Sequence, residues 1–131
     1  MSADTPSESG LDLSISEKSG HCVAIVSGRI DHTNADRFQA GIGEAADAVP
    51  PKSGMIIDLS GLDYITSAGL RTLMLAHRKL AGDRMLVVSG ISGVVKEVFR
   101  ISKFDALLSI TDTQAGGIAM LSDHAAASSK G

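Results

Sequence analysis

The chain has one cysteine, one tyrosine, three phenylalanines and no tryptophan in 131 residues. Cys22 has no partner for an intrachain disulfide, which removes the stapled secreted scaffolds and makes the cytoplasm the expected compartment. With so few aromatics the core has to be aliphatic, and a hydrophobic content of 44% suffices for one small domain. Basic surplus is missing too: the formal net charge is −3 and no Lys/Arg cluster offsets it, which argues against a nucleic-acid partner. The longest apolar runs, such as residues 22–26, fall far short of the roughly 18 residues of a membrane span, so no membrane insertion is expected. The start, MSADTPSESGLDLS, lacks the basic and apolar regions of an export signal.

Residues 1–10 are mostly Ser, Asp, Glu, Thr, Pro and Gly, and are expected to form a disordered tail. Leu11, Leu13 and Ile15 alternate with polar residues; after Ser19 and Gly20 a second apolar run leads to Gly28, so the chain opens on a hairpin. Thr33 or Asn34 then caps a helix whose Ala35, Phe38, Ile42, Ala45 and Val49 share one face, and which Pro50 and Pro51 stop. Residues 55–59 read as a buried strand and residues 60–66 as a loop. A second helix follows, with Leu70, Leu73, Met74, His77 and Leu80 on one face and Gly82 in its C-terminal turn. Residues 85–88 form another strand, and Val94, Val95, Val98 and Ile101 mark the face of a third helix behind Ser92. A strand near 107–110 and a helix from about Thr113 close a folded unit of residues 11–122, leaving 123–131 as a frayed tail. The order is ββαβαβαβα: an α/β fold with a mixed sheet, an opening hairpin, βα repeats and helices packed on the sheet.

Most chemical motifs fail on spacing. His21, His32, His77 and His124 form no His-x-x-x-His pair and Cys22 has no Cys-x-x-Cys partner, so no metal site is expected. No phosphate-binding GxxxxGK[ST] loop occurs, and Gly41, Gly43 and Ala46 match a dinucleotide fingerprint only inside a helix. Asp58 ends a strand, as a receiver phosphoacceptor does, but lacks the acidic pair that holds magnesium. Ser67 lies between strand and helix, where a hydrolase nucleophile sits, yet Ile65 stands where such an enzyme has glycine, and no acid-then-histidine order follows. Neither a catalytic residue nor a cofactor is expected.

Two segments carry a resemblance. DLSGLDYITSAGLRTLMLAHRKL, residues 58–80, is similar to the phosphorylation loop and following helix of the STAS domain family, and GRID, residues 28–31, resembles its Gly-Glu-Leu-Asp turn. Within that family the chain resembles the bacterial anti-sigma factor antagonists. The resemblance implies a partner switch, not an enzyme. The dephosphorylated form binds an anti-sigma factor that is also a serine kinase of the histidine-kinase-like ATPase type; phosphorylation releases it, and a metal-dependent serine/threonine phosphatase reverses the change. By motif position the modified residue is Ser67, with Thr66 a minor candidate, and Arg29, Asp31, His32, Thr66, Ser67, Ala68 and Gly69 form the docking surface.

A serine at a helix N-terminus can cap free N–H groups, and the same donors tolerate a phosphate. Phosphorylation would take the net charge from −3 to about −5. Gly69 is expected where backbone lies close to the sheet, and Leu70 as a core anchor. Thr66 replaces the Asp that precedes the serine in well-known members, a change beside the residue a kinase would recognise, and Arg29 replaces a Glu, a change of charge at the expected interface that could select a different kinase. The alternative is a non-signalling STAS subunit docked on the ATPase of a lipid-transport ABC complex.

Overall fold

Ser19 and Gly20, both at positive φ, turn the chain tightly enough for β1 (Leu11–Lys18) and β2 (His21–Ile30) to pair antiparallel. The computed structural model describes residues 10–130, so the expected tail at 1–10 lies outside the described residues except for Gly10. Then follow α1 (Ala35–Asp47), β3 (Gly54–Ile65), α2 (Ser67–Lys79), β4 (Met85–Ser89), α3 (Gly93–Ile101), α4 (Phe104–Leu107), β5 (Ser109–Thr111) and α5 (Gln114–Lys130). The strands lie in the order β1-β2-β3-β4-β5, with β2 to β5 mutually parallel.

Neighbouring parallel strands joined by right-handed crossovers put every crossover helix on one face. Accordingly Phe38 and Ile42 of α1, Leu73 of α2 and Phe99 of α3 meet Val26, Met55, Ile57, Leu59 and Val88 in one aliphatic core. Among the described residues the opposite face is covered by α5 alone, where Leu121 packs on Ile56 and Val87. Residues 55–57 are therefore buried on both sides, which accounts for their unbroken apolar run. None of the described helices is long and apolar enough to cross a membrane.

Four expectations change. Residues 60–65, read as a loop, continue β3, because β2 is long enough to pair with them as far as Ile30 and Ile65. β4 stops pairing at Asp58 and Ser89, so among the described residues this extension has one strand neighbour and tolerates its Ser, Gly and Asp residues on exposed positions. The buried face of α3 is Val95 and Phe99, while Val94 and Ile101 are 56% and 68% exposed. Lys103, at φ 65°, ends that helical run and restarts the chain as α4, whose Phe104 ring meets Phe99 edge-on; Leu107 thus lies in a short helix and faces solvent, not in a strand. At the end, α5 runs beyond residue 122 to Lys130.

His21 ties the two faces together at the N-terminal ends of the strands. Its buried Nδ1 accepts the Gly54 N–H at 3.1 Å, which puts the ring proton on Nε2, 3.3 Å from Ser122 Oγ of α5. Burial lowers its pKa from the usual 6.5. The unfolded chain then takes up this proton first, so the stability His21 contributes is complete above the unfolded pKa and is lost as pH falls through the folded value. Thermal unfolding followed between about pH 7.5 and pH 5 is expected to show a fall in Tm that is smaller in His21→Gln, which has no proton to gain.

Candidate functional site

At the C-terminal edge of the parallel strands, β2 and β3 finish side by side, with Arg29 opposite Tyr64 and Ile30 opposite Ile65. The register slips between Gly28 and Arg29, which leaves Asp63 as an extra residue on β3. Gly28 sits at φ 93°, and a Cβ there would lie 2.2 Å from the Gly10 carbonyl oxygen. No other residue fits that position, and the Arg29 N–H donates to the same oxygen at 2.8 Å.

Beyond β2 the chain is held by Asn34, which is 1% exposed. Its Nδ2 donates to the Arg29 carbonyl and its Oδ1 accepts the Asp31 N–H, each at 3.0 Å. Asn34 flanks α1 but its side chain does not cap the helix; it staples the loop of residues 31–34 to the strand end. Asp31 Oδ1 accepts from the Thr33 hydroxyl at 2.5 Å and the Thr33 N–H at 2.9 Å. These two bonds, with smaller help from Arg29 and His32, hold the Asp31 carboxyl below its ordinary range. Arg29 Nε lies 3.4 Å from Asp31 Oδ2, and its guanidinium stands 5.9 Å from the centroid of the Tyr64 ring. At this exposure the pair adds little stability, but it orients the cation at the strand edge.

Thr66, not Ser67, is the cap of α2. It is extended at φ −92° and ψ 172°, and its Oγ1 accepts the Gly69 N–H at 3.3 Å. Ser67 is the first helical residue, and both it and Ala68 are exposed. Gly69, expected among the docking residues, is buried instead: a Cβ would lie 2.7 Å from Ile65 Cγ1 and 3.0 Å from Ile30 Cγ2. Its role is to seat the first turn of α2 on the tips of β2 and β3. Leu70 is buried in the core, as expected.

The structure adds a wall to the site. A groove of ≈ 450 Å³ runs between Tyr64, Thr66, Ser67 and Leu70 on one side and Val98 and Ile101 of α3 on the other. Sequence reasoning missed this wall because Val94, Val98 and Ile101 were merged with Val95 into one core stripe. Their own i, i+4, i+7 spacing, offset from the Val95–Phe99 pair, carries the signal of a second apolar face.

The histidines do not converge on Ser67. His21 and His124 bind Gly54 and the Gly82 carbonyl at the opposite end of the sheet, and His77 lies in the last turn of α2; only His32 shares the edge. Asp58 is occupied by the Ser60 N–H and the Gln114 side chain, each at 2.9 Å. Among the described residues no three His, Cys, Asp or Glu side chains gather as a metal site would require. Chemically the edge offers an exposed hydroxyl on a rigid mount, beside an apolar groove and an oriented arginine.

Comparison with known proteins gives concordant matches. The family model of the STAS domain matches residues 12–116. A protein of Bordetella bronchiseptica, BtrV, whose name designates it an anti-sigma factor antagonist, is 30% identical over 105 residues, covering 79% of this chain and 89% of its own. Among solved structures, an anti-sigma factor antagonist from Mycobacterium paratuberculosis superposes with a TM-score of 0.80 at 22% identity, over 87% of this chain and 96% of the other. The Bacillus cell fate determinant SpoIIAA in its phosphorylated form superposes with a TM-score of 0.59 at 19% identity, over 83% of this chain and 98% of that one.

The mount of Ser67 can be tested by urea unfolding. Thr66→Ala is expected to cost about 1 kcal/mol through loss of the cap. Gly69→Ala is expected to cost about 1–3 kcal/mol, because the added methyl meets Ile65 and Ile30. Equal stability of Gly69→Ala and wild type would contradict the close seating of α2.

Proposed function

The chain belongs to the STAS domain family, and from that membership we propose that it is an anti-sigma factor antagonist that exchanges partners according to the phosphorylation of Ser67. The observation that carries this reading is the exposed Ser67 at the first position of α2, held by Thr66 and Gly69 beside the groove of Tyr64, Leu70, Val98 and Ile101. The name of BtrV supports the antagonist role, and SpoIIAA is a relative in fold that exists in a phosphorylated form.

In this reading the dephosphorylated chain docks through the strand-end edge on an anti-sigma factor that is a serine kinase of the histidine-kinase-like ATPase type. Ile101 and Val98 supply buried apolar area, while Arg29, Asp31 and His32 form the polar rim. The kinase supplies the phosphoryl-transfer chemistry; this chain contributes only the acceptor, Ser67 Oγ. Thr66 is the poorer acceptor, since its Oγ1 already takes the Gly69 N–H and its modification would disrupt the cap. A phosphate on Ser67 adds roughly 1.5 to 2 negative charges at the mouth of the groove and occupies the space a partner needs. The fold need not change for binding to be lost. A metal-dependent serine/threonine phosphatase restores the docking form, and the whole cycle takes place in the cytoplasm.

Incubation with the cognate kinase and ATP, followed by peptide mass spectrometry, is expected to place phosphate on Ser67 and none in Ser67→Ala; phosphate elsewhere alone would overturn the assignment. Ser67→Glu is expected to weaken kinase binding by about tenfold or more with an unchanged far-UV circular dichroism spectrum. Ile101→Ser is expected to weaken it by a similar factor, because the side chain is already exposed in the free protein and its loss does not touch the core.

A further inference from the structure

Ser67 and Arg71 stand four residues apart on α2, and both are exposed. Residues at i and i+4 of a helix lie one above the other, about 5–6 Å apart at Cβ, and helical side chains lean toward the N-terminus. This spacing puts the Ser67 side chain within reach of an arginine at position 71. Among the described residues it has no hydrogen bond or ion pair, and the first turn of α2 contains no acidic residue to provide one. The other arginine of this edge is committed: Arg29 is held by Asp31 and the Tyr64 ring. The helix end is partly used as well, since the Gly69 N–H goes to Thr66 Oγ1 and the Leu70 N–H to the Thr66 carbonyl.

We propose that Arg71 is the counter-ion of the phosphorylated Ser67 and draws the phosphate down along α2. The idea rests on the reading of Ser67 as the modified residue. Position i is the place from which an anion best pairs with a cation at i+4, and in the unmodified chain a neutral hydroxyl occupies it. Phosphorylation supplies the missing anion, and the guanidinium fork can meet two phosphate oxygens at once. The modification then acts twice on the docking surface. It adds a phosphate, and it withdraws a free arginine that the unmodified edge offers to an acidic group of the partner. Arg71 is a positioning residue for the phosphorylated state.

The test needs no kinase. Phosphoserine is installed at position 67 of the full chain during translation, and the phosphate is titrated by 31P NMR. In the wild-type background its second pKa is expected below the ordinary value of about 6, and Arg71→Gln is expected to raise it by roughly 0.5 unit. Arg71→Lys keeps most of the depression, and Arg78→Gln, in the last turn of the same helix, keeps all of it. Identical titration of the wild-type and Arg71→Gln proteins would overturn the proposal. Because the phosphate is placed by translation, failure of a kinase to modify Ser67 would end the partner-switch reading without altering this titration.

Discussion

The approach of α2 to the ends of β2 and β3 sets everything at the functional edge. With hydrogen alone on Gly69, Ile65 and Ile30 come close enough to hold the first helical turn, and Ser67 is carried to the surface by the same contact. A side chain at Gly69 would lift the helix and move the serine away from Tyr64 and the α3 wall. The cap belongs to this constraint. Thr66 is extended because it finishes β3, and that backbone shape puts its hydroxyl in reach of the Gly69 N–H. One residue thus ends the strand and starts the helix, leaving the next hydroxyl unencumbered.

A second restraint stands beside it. The Asn34 staple fixes the loop after β2 through two backbone hydrogen bonds, and the Thr33 contacts keep the Asp31 carboxylate ionised and turned back on its own loop. This side of the edge is therefore preorganised by its own hydrogen bonds. Two separate strand ends, each closed by local side-chain bonds, build one surface.

How far this was legible in the sequence depended on whether a residue spoke for itself or through neighbours. Alternation in residues 11–30 and the spacing of Leu70 and Leu73 gave the hairpin and α2 directly, because burial on one face leaves a periodic trace. The family resemblance pointed to Ser67 and its edge. The strand extension over residues 60–65 was hidden, since its pairing depends on the length of β2 and not on its own polar composition. That Thr66 and not Ser67 caps α2 could not be read from the sequence, since either hydroxyl suits the position and the choice rests on the backbone angles of Thr66. The α3 wall was misassigned because four valine and isoleucine positions serve two faces of one short helix, and only Phe99 shows which face is inside.

The two faces of the sheet are unequal. Helices α1 to α4 and most of the core lie on one side, whereas α5 rests on Ile56 and Val87 and reaches the N-terminal strand ends through Ser122 and His124. Its far half lies at the end of the sheet opposite Ser67, separated from it by the full length of the central strands. A fluorophore or spin label on an exposed position there would stand clear of the proposed docking edge. The molecule thus comes with a natural handle, kept apart from the edge that carries Ser67.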